Sequence, residues 1–427
     1  MRRLRVLISA HEFSPNQGSE CAVGWNICTR MAAYHDVTVL CASGPPQHPS
    51  AYRQAVSHYY AEHGIIPGLK IVFVNQPPIT LRCAAINRKL FDVSDGAGFR
   101  PFFYMGLDAW HREAFRTAID LGIDKFDVVH QLTPVGFRNP GYLWKTNVPF
   151  VWGPIGGMHK VPADFARWLG IRSFIFETCR SIGTEWQARM SPSVRRAAQK
   201  ATLVWAITEN ERHSVKRMAG DKAFPMIEAA SSSEIPGRVR QYDSRRPLRV
   251  CWSGRHDAPK ALPLFLYALA HLSEPRQVIL DVLGGGSETQ RWEGLSRHLS
   301  LQGITWHGQL AYRDALERMG QADLFVHTST REATSTVVLE ALSLGLPVMC
   351  HDACGMALAI DDTCGIKVPF VCPEQSILGF RNALNQILQE PGLIQKLSEG
   401  ALRRASALSW DSKVKQLAES YIHCTQS

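Results

Sequence analysis

The 427-residue chain lacks any apolar run near the roughly 20 residues that a membrane-spanning helix needs. It also lacks a Cys-x-x-Cys pair, and its eleven cysteines are scattered and odd in number. That pattern argues against a disulfide framework or a zinc site and favours free thiols in a reducing cytoplasm. Tandem repeats of short period and low-complexity tracts are absent as well. The opening "MRRLRVLISAHEF" is basic and then apolar like a secretion signal, but Arg5 interrupts it and no small-residue cleavage site follows, so it predicts a first strand.

A chain of this length exceeds one hydrophobic core, so two domains are expected. Short apolar stretches such as "LRVLISA", "DVTVLCA" and "DVVHQL" alternate with helical ones, and the alternation restarts after the arginine-rich linker "PGRVRQYDSRRP". Alternating strands and helices predict the α/β class, with two doubly wound, Rossmann-like domains of parallel strands facing a cleft. Ligands of such folds bind at the carboxyl ends of the strands. The predicted domains are residues 1–240 and residues 247–405.

Charge is divided unevenly between the two halves. Residues 1–246 hold 31 basic and 20 acidic residues, a balance of +11, whereas residues 247–427 hold 16 and 18, a balance of −2. The basic excess of the first half suits nucleic acid, anionic lipid or a phosphorylated acceptor.

The stretch "REATSTVVLEALSLGLPV", residues 331–348, places two glutamates around a polar cluster. An apolar strand precedes it, so Glu332 lies in a loop at a strand end and Glu340 lies on the following helix. Gly345 and then a proline end that helix. Its beginning offers free amides and partial positive charge, which suit a phosphate. The candidate capping residues are Thr334, Ser335 and Thr336.

Other strand-end loops of the second half carry complementary groups. "SGRHDAPK" places Gly254, Arg255 and Lys260 after a strand, where two cations can clamp a diphosphate. The run "VLGGGSET" is not a complete dinucleotide fingerprint and is weak evidence alone. After the strand "ITWHG", the backbone at Gln309 and Leu310 is a candidate partner for a base edge, and an ordinary turn is the alternative.

Together these segments resemble the retaining glycosyltransferases of family four, which have the GT-B fold. The resemblance runs from about Leu248 to Pro369, and "ALSWDSKVKQLAESY" looks like the family's closing helix. It implies that residues 406–427 form a helix that returns to the first domain. It further implies a nucleotide-sugar donor, UDP- or GDP-linked, no cofactor and no metal, and a glycan or lipid-linked glycan acceptor. The "GSE" and "GPIGG" segments look like a subgroup that assembles bacterial cell-surface polysaccharide.

The same resemblance assigns roles to the residues above. Glu332 would act on the donor sugar as a catalytic residue, and Glu340 would accept hydrogen bonds from the ribose. Arg255, Lys260 and the helix amides would hold the diphosphate. No acidic pair resembles the metal signature of the other major glycosyltransferase fold. This chain departs from the family at Ala333, where a glycine is usual.

The first half supplies further candidates. In "PNQGSE", Gly18 and Ser19 stand where the family usually has a double glycine, and the resemblance implies that they approach the donor phosphate. His130, expected at a strand end facing the cleft, is either catalytic or structural. Arg138 and His159 are candidate acceptor contacts.

The stretch Asp164–Lys200 mixes aromatic residues with six arginines and suits an anionic membrane surface, although a basic helix covering the first domain is equally compatible. We therefore expect a cytoplasmic enzyme, peripheral on the inner membrane face, that binds no nucleic acid. The alternatives are another GT-B nucleotide-sugar enzyme (an epimerase or phosphorylase) and a non-catalytic nucleotide-binding scaffold.

Overall fold

The computed structural model describes residues 2–15, 17–91, 98–231 and 235–426. The chain divides into two compact units. Unit 1 comprises Met1–Met158, Thr184–Ala229 and Lys413–Ser427, and unit 2 comprises His159–Gly183 and Ala230–Ser412.

Unit 1 is built on a parallel sheet of seven strands in the order β3-β2-β1-β4-β5-β6-β7. The strands are β1 (Arg5–Ala10), β2 (Asp36–Ala42), β3 (Leu69–Val74), β4 (Val128–Thr133), β5 (Phe150–Ile155), β6 (Leu203–Ala206) and β7 (Ala223–Pro225). The helices of the first half of the chain are α1 (Ser19–Met31), α2 (Ala51–His63), α3 (Pro78–Leu90), α4 (Arg100–Asp120), α5 (Ala163–Trp168), α6 (Ile171–Met190), α7 (Pro192–Lys200) and α8 (Glu209–Ala219).

Unit 2 is built on a parallel sheet of six strands in the order β10-β9-β8-β11-β12-β13. The strands are β8 (Leu248–Ser253), β9 (Val278–Leu283), β10 (Ile304–Gly308), β11 (Leu324–His327), β12 (Val348–His351) and β13 (Gly365–Val368). The helices of the second half are α9 (Leu262–Ala270), α10 (Thr289–His298), α11 (Tyr312–Met319), α12 (Thr336–Ser343), α13 (Met356–Ala359), α14 (Pro373–Gln389), α15 (Gly392–Ala407) and α16 (Trp410–Cys424).

The central strands are buried along most of their length because helices cover both faces of each sheet. Every residue of β4 and β11 is buried, and so are all residues of β1 except Arg5. The predicted class is confirmed: two doubly wound α/β units of parallel strands. In each sheet the strand order reverses beside the first strand, between β1 and β4 in unit 1 and between β8 and β11 in unit 2. Such reversal points are where doubly wound folds bind ligands.

The unit boundaries differ from the sequence-based ones in the segment His159–Gly183, which packs with unit 2. Its helix α5 inserts Phe165, fully buried, against Phe370 with ring centroids 4.4 Å apart. This contact joins residues more than 200 positions apart, so no local pattern indicates it.

Helix α16 packs in unit 1 from Lys413 onward. Its Tyr421 is fully buried, and the carbonyl of Ala418 lies 3.2 Å from Nε2 of His35 beside strand β2. All eleven cysteines lie in the described ranges and carry free thiols. Among the described residues, none of the helices has both the length and the apolarity required to span a bilayer.

Candidate nucleotide-sugar site

The loop after β8 is held against the loop after β11, so the two strand ends at the reversal point act as one surface. Thr328 Oγ1 donates to the carbonyl of Lys260 over 2.6 Å, and the amide of Thr330 donates to the carbonyl of Pro259 over 2.8 Å. Helix α9 then begins after Ala261, which is buried in a left-handed conformation with φ of 48°. These contacts fix the direction in which Lys260 leaves the backbone.

Lys260 and Glu332 meet on this surface. The ammonium Nζ donates to Glu332 Oε2 over 2.5 Å, and the two side chains are 18% and 21% exposed. His327, buried at the end of β11, has Nε2 3.8 Å from the same carboxylate oxygen. Burial, the Lys260 charge and His351 hold the pKa of His327 well below its ordinary value, so the imidazole is neutral. One cation therefore compensates Glu332.

Arg255, the second predicted cation, is exposed and pairs with Asp257 over 2.8 Å. The structure places it on the same loop as Lys260. Next to it, Gly254 is approached by the glycine-rich turn that follows β9. A Cβ on Gly284, whose φ is 110°, would lie 2.0 Å from the carbonyl oxygen of Gly254. The "GGG" run thus allows two strand-end loops to touch.

The polar cluster lies at the start of α12, as predicted. Helix α12 runs from Thr336 to Ser343, with Ser335 as the N-cap residue in an extended conformation. Ser335 makes no side-chain capping hydrogen bond, which differs from the expected use of its hydroxyl. Thr334 and Ser335 are buried and Thr336 is exposed. The amide of Val338 donates to the carbonyl of Ser335 over 3.1 Å. The amino end of the helix carries partial positive charge.

Glu340 lies one turn further along α12. Burial raises the pKa of its carboxyl group, while a hydrogen bond from Tyr312 Oη over 3.3 Å acts in the opposite direction. The carboxylate is thus partly desolvated and accepts from one hydroxyl. Helix α12 ends at Ser343 with Leu344 as its C-cap residue, just before Gly345 with φ of 75°, where the sequence predicted the end.

After β10, the chain turns at Gly308 with φ of 66°. Gln309 is exposed and Leu310 is half-buried, so both lie on the surface of unit 2 at the carboxyl end of that strand. The preceding His307 is tied to Asp281 over 2.7 Å.

In unit 1, Gly18 is the exposed N-cap residue of α1, and Ser19 is the first residue of that helix. Added atoms on Gly18 would meet nothing within 4 Å, so space does not demand glycine there. The sequence analysis did not identify two acids of unit 1, Glu12 and Glu20. Glu20 Oε1 accepts from the amide of Val135 over 2.9 Å, and burial, followed by the charge of Glu12, raises the pKa of Glu20 well above its ordinary value. The quoted "GSE" contained this signal.

His130 was expected at a strand end, and this is wrong: it lies inside β4 and is fully buried. Its Nε2 lies 2.6 Å from the carbonyl of Gly153, and its Nδ1 lies 2.5 Å from Tyr421 Oη. Since a carbonyl only accepts, Nε2 carries the proton and Nδ1 accepts from the tyrosine. Burial lowers the pKa of His130 to about 4. This neutral, doubly bonded histidine ties α16 to the sheet of unit 1.

The two candidate acceptor residues are also engaged. Arg138 donates from Nε to Gln187 over 2.6 Å and from Nη2 to Thr184 over 2.7 Å, within unit 1. His159 belongs to unit 2 and is buried, and burial followed by the charge of Arg180 lowers its pKa to about 4.

Sequence reasoning also missed Glu177 on α6. This carboxylate is buried in unit 2 between two arginines, with Arg180 Nε at 2.7 Å and Arg331 Nη1 in direct contact. The sequence offered one signal, an acid that lies among apolar residues and arginines in the first half of the helix. Among the described residues, no group of three or more histidine, cysteine, aspartate or glutamate side chains is arranged to hold a metal.

The candidate site residues of unit 2, from Gly254 to Glu340, lie within one continuous part of the chain. Residues 241–404 match the family described as glycosyl transferases group 1. This matched segment contains the loop of Lys260, the loop of Glu332 and helix α12. Over 164 residues the chain is 35% identical to lipopolysaccharide glucosyltransferase WaaG of Escherichia coli, covering 36% of this chain and 43% of that protein. The chain spans between 39% and 56% of the length of three curated relatives that it matches.

Solved structures extend the likeness to the whole chain at the level of fold. Sucrose-phosphate synthase from Thermosynechococcus elongatus superposes with a TM-score of 0.62 at 16% identity, covering 99% of both chains. HepE from Anabaena, solved with UDP-glucose, superposes with a TM-score of 0.54 at 15% identity, covering 99% of this chain and 100% of that one. The matched segment therefore belongs to a chain with the GT-B fold.

Proposed function

We propose that this protein is a retaining glycosyltransferase that moves a sugar from a UDP- or GDP-sugar to a glycan or lipid-linked glycan during cell-surface polysaccharide synthesis. One observation carries the proposal. Within the matched segment, the reversal point of the unit 2 sheet brings together Lys260, Glu332 and the amino end of α12, with Glu340 one turn beyond. The donor class agrees with the UDP-glucose bound by the HepE structure.

Each group suits one part of a nucleotide sugar. Arg255, Lys260 and the first-turn amides of α12 supply positive charge for the diphosphate. Glu340, partly desolvated and already accepting from a hydroxyl, suits the ribose. Glu332 lies against Lys260 and suits the hydroxyls of the transferred sugar. The backbone at Gln309 and Leu310 is proposed for the base.

The proposed reaction needs no protein nucleophile. The acceptor hydroxyl attacks the anomeric carbon from the face that the diphosphate leaves, the bond from that carbon to the diphosphate oxygen breaks, and the departing oxygen takes the acceptor's proton. The protein's part is to orient the two substrates and to stabilise the charge that develops on the diphosphate. We propose that Arg255, Lys260 and the amino end of α12 provide this stabilisation without a metal ion.

The proposed location is the inner face of the cytoplasmic membrane, held loosely. The part of helix α6 in unit 2 exposes the apolar side chains of Ile171, Ile175 and Ile182, and the part in unit 1 exposes those of Trp186 and Met190. Exposed arginines such as Arg172 and Arg189 lie on the same helix and complement anionic headgroups. Arg180 does not belong to this surface, since its side chain is only 19% exposed and pairs with Glu177.

A thermal-shift screen against UDP- and GDP-sugars tests the donor proposal directly, followed by transfer and hydrolysis assays with the stabilising donor. A glycosyltransferase releases nucleoside diphosphate in an acceptor-dependent way. An epimerase alters the sugar without releasing the nucleotide, and a scaffold binds without turnover. If none of these donors stabilises the protein, the proposal is contradicted.

A further inference from the structure

The loop that carries Glu332 is anchored by a segment from the first half of the chain. Residues 159–183 pack in unit 2, and two of their side chains reach the residues just before Glu332. The ring of His159 is hydrogen-bonded to the backbone of Thr330, and Glu177 accepts from Arg331. Two residues that are distant in sequence, His159 and Glu177, therefore hold the loop at two consecutive positions, Thr330 and Arg331.

Burial and two arginine contacts hold the Glu177 side chain in one position. The carboxylate is 6% exposed and is shared by Arg331 and Arg180, and Arg180 Nη2 also donates to the carbonyl of His159 over 2.8 Å. The Arg331 guanidinium further lies over the Phe176 ring at 5.3 Å. A buried carboxylate bound by two guanidinium groups resists displacement, because moving it leaves charges unpaired away from water.

Arg331 is adjacent in sequence to Glu332, whose carboxylate lies on Lys260. If Arg331 moves, the backbone of Glu332 moves with it. From this geometry we propose that Glu177 is a positioning residue. Through Arg331 it holds the Glu332 carboxylate in the place from which it acts on the donor sugar. The inference rests on the proposed function for the chemistry, but the fixing of the loop is a separate, measurable property.

The test uses the full chain with three substitutions on α6. Glu177→Gln keeps the side-chain shape and removes the charge that holds Arg331, whereas Glu177→Asp keeps the charge. Glu185→Gln is the matched control, because Glu185 also pairs with an arginine on the same helix, Arg189 at 2.8 Å. Hydrogen exchange of the peptide covering residues 328–334 reports the loop, and transfer kinetics with the stabilising nucleotide sugar report the chemistry.

Glu177→Gln should speed exchange of that peptide and lower kcat about 10- to 100-fold, the scale of one hydrogen bond to a charged group. The affinity for free nucleoside diphosphate should weaken by no more than about twofold, because the phosphate and ribose contacts lie on other residues. Glu177→Asp should restore most of kcat, and Glu185→Gln should change neither readout.

Four outcomes are distinguishable. Unchanged exchange in Glu177→Gln overturns the anchoring, and faster exchange with unchanged kcat overturns the positioning role. A Glu177→Gln variant that loses diphosphate affinity as well shows a general structural defect and also overturns it. If exchange is faster in Glu177→Gln but the wild-type protein transfers no sugar, the anchoring is supported and the proposed function is contradicted.

Discussion

The ion pair between Lys260 and Glu332 leads to a prediction about the affinity for free nucleoside diphosphate. In the described structure Lys260 contacts Glu332 at 2.5 Å, so a diphosphate that recruits Lys260 must first weaken this pair. Glu332→Gln removes the competing charge with almost no change of shape. The variant should bind free UDP or GDP at least as tightly as the wild type, although it transfers sugar poorly.

The magnitude follows from the exposure of the pair. Exposed ion pairs contribute about 0–1 kcal/mol, and side chains that are 18% and 21% exposed belong at the upper end. Releasing Lys260 should therefore tighten diphosphate binding by up to about 1 kcal/mol, or about fivefold. Lys260→Ala removes hydrogen bonds of about 1.5–3 kcal/mol to the phosphate and leaves Glu332 uncompensated, so binding should weaken by roughly 10- to 150-fold.

The variant that carries both Lys260→Ala and Glu332→Gln provides a further test, because it lacks both the cation and the carboxylate that repels the diphosphate. Its affinity should lie between that of the wild type and that of Lys260→Ala. Calorimetry with free nucleoside diphosphate measures all four proteins, and Glu317→Gln, which breaks the exposed pair with Arg313 on α11, is the control. A Glu332→Gln variant that binds the diphosphate tenfold more weakly would refute the reasoning and show that Glu332 contacts the nucleotide.

The remaining predictions address the ribose, the closing helix, the metal and the membrane. Glu340→Gln should weaken binding of the nucleotide alone about tenfold, and wild-type affinity should fall as pH drops through the raised pKa of Glu340, a dependence that the variant lacks in calorimetry. Tyr421→Phe leaves Nδ1 of buried His130 without its donor, so urea unfolding of unit 1 should become about 1–3 kcal/mol easier while diphosphate affinity stays unchanged. Transfer should survive excess EDTA, and loss of activity that magnesium or manganese restores would contradict the metal-free proposal. Binding to anionic vesicles should fall steeply with salt in co-sedimentation and weaken in Arg172→Glu and Trp186→Ser; wild-type protein that stays in the supernatant at low salt contradicts the membrane proposal.

Local chemistry explains which features were predictable from sequence. Strand β11 was predicted from three consecutive apolar residues, and α12 from its polar start and the glycine at its end. Each of these signals lies within a few residues of the structure that it specifies. The gathering of Lys260 and Glu332 followed from a general property of parallel sheets, because loops after neighbouring strands share one edge.

The errors have a different origin. His130 follows two apolar residues like a strand-end group, but the strand continues to Thr133 and a tyrosine 291 positions later encloses the ring. Glu177 and Arg180 resembled surface charges of a basic helix, and their burial depends on Arg331 and on the carbonyl of His159. Such long-range pairings leave no periodic signal in the sequence.

The placement of Tyr421 also has a consequence for biosynthesis. Domains emerging from the ribosome usually fold from the amino end, yet His130 in the middle of the first sheet obtains its Nδ1 partner only from α16. Lys413 similarly reaches the carbonyls of Ile227 and Ala229, also in unit 1. A nascent chain that has completed all seven strands of that sheet still lacks these partners. Translation must therefore reach α16 before unit 1 can close, so a shorter nascent chain is a ready substrate for chaperones and proteases.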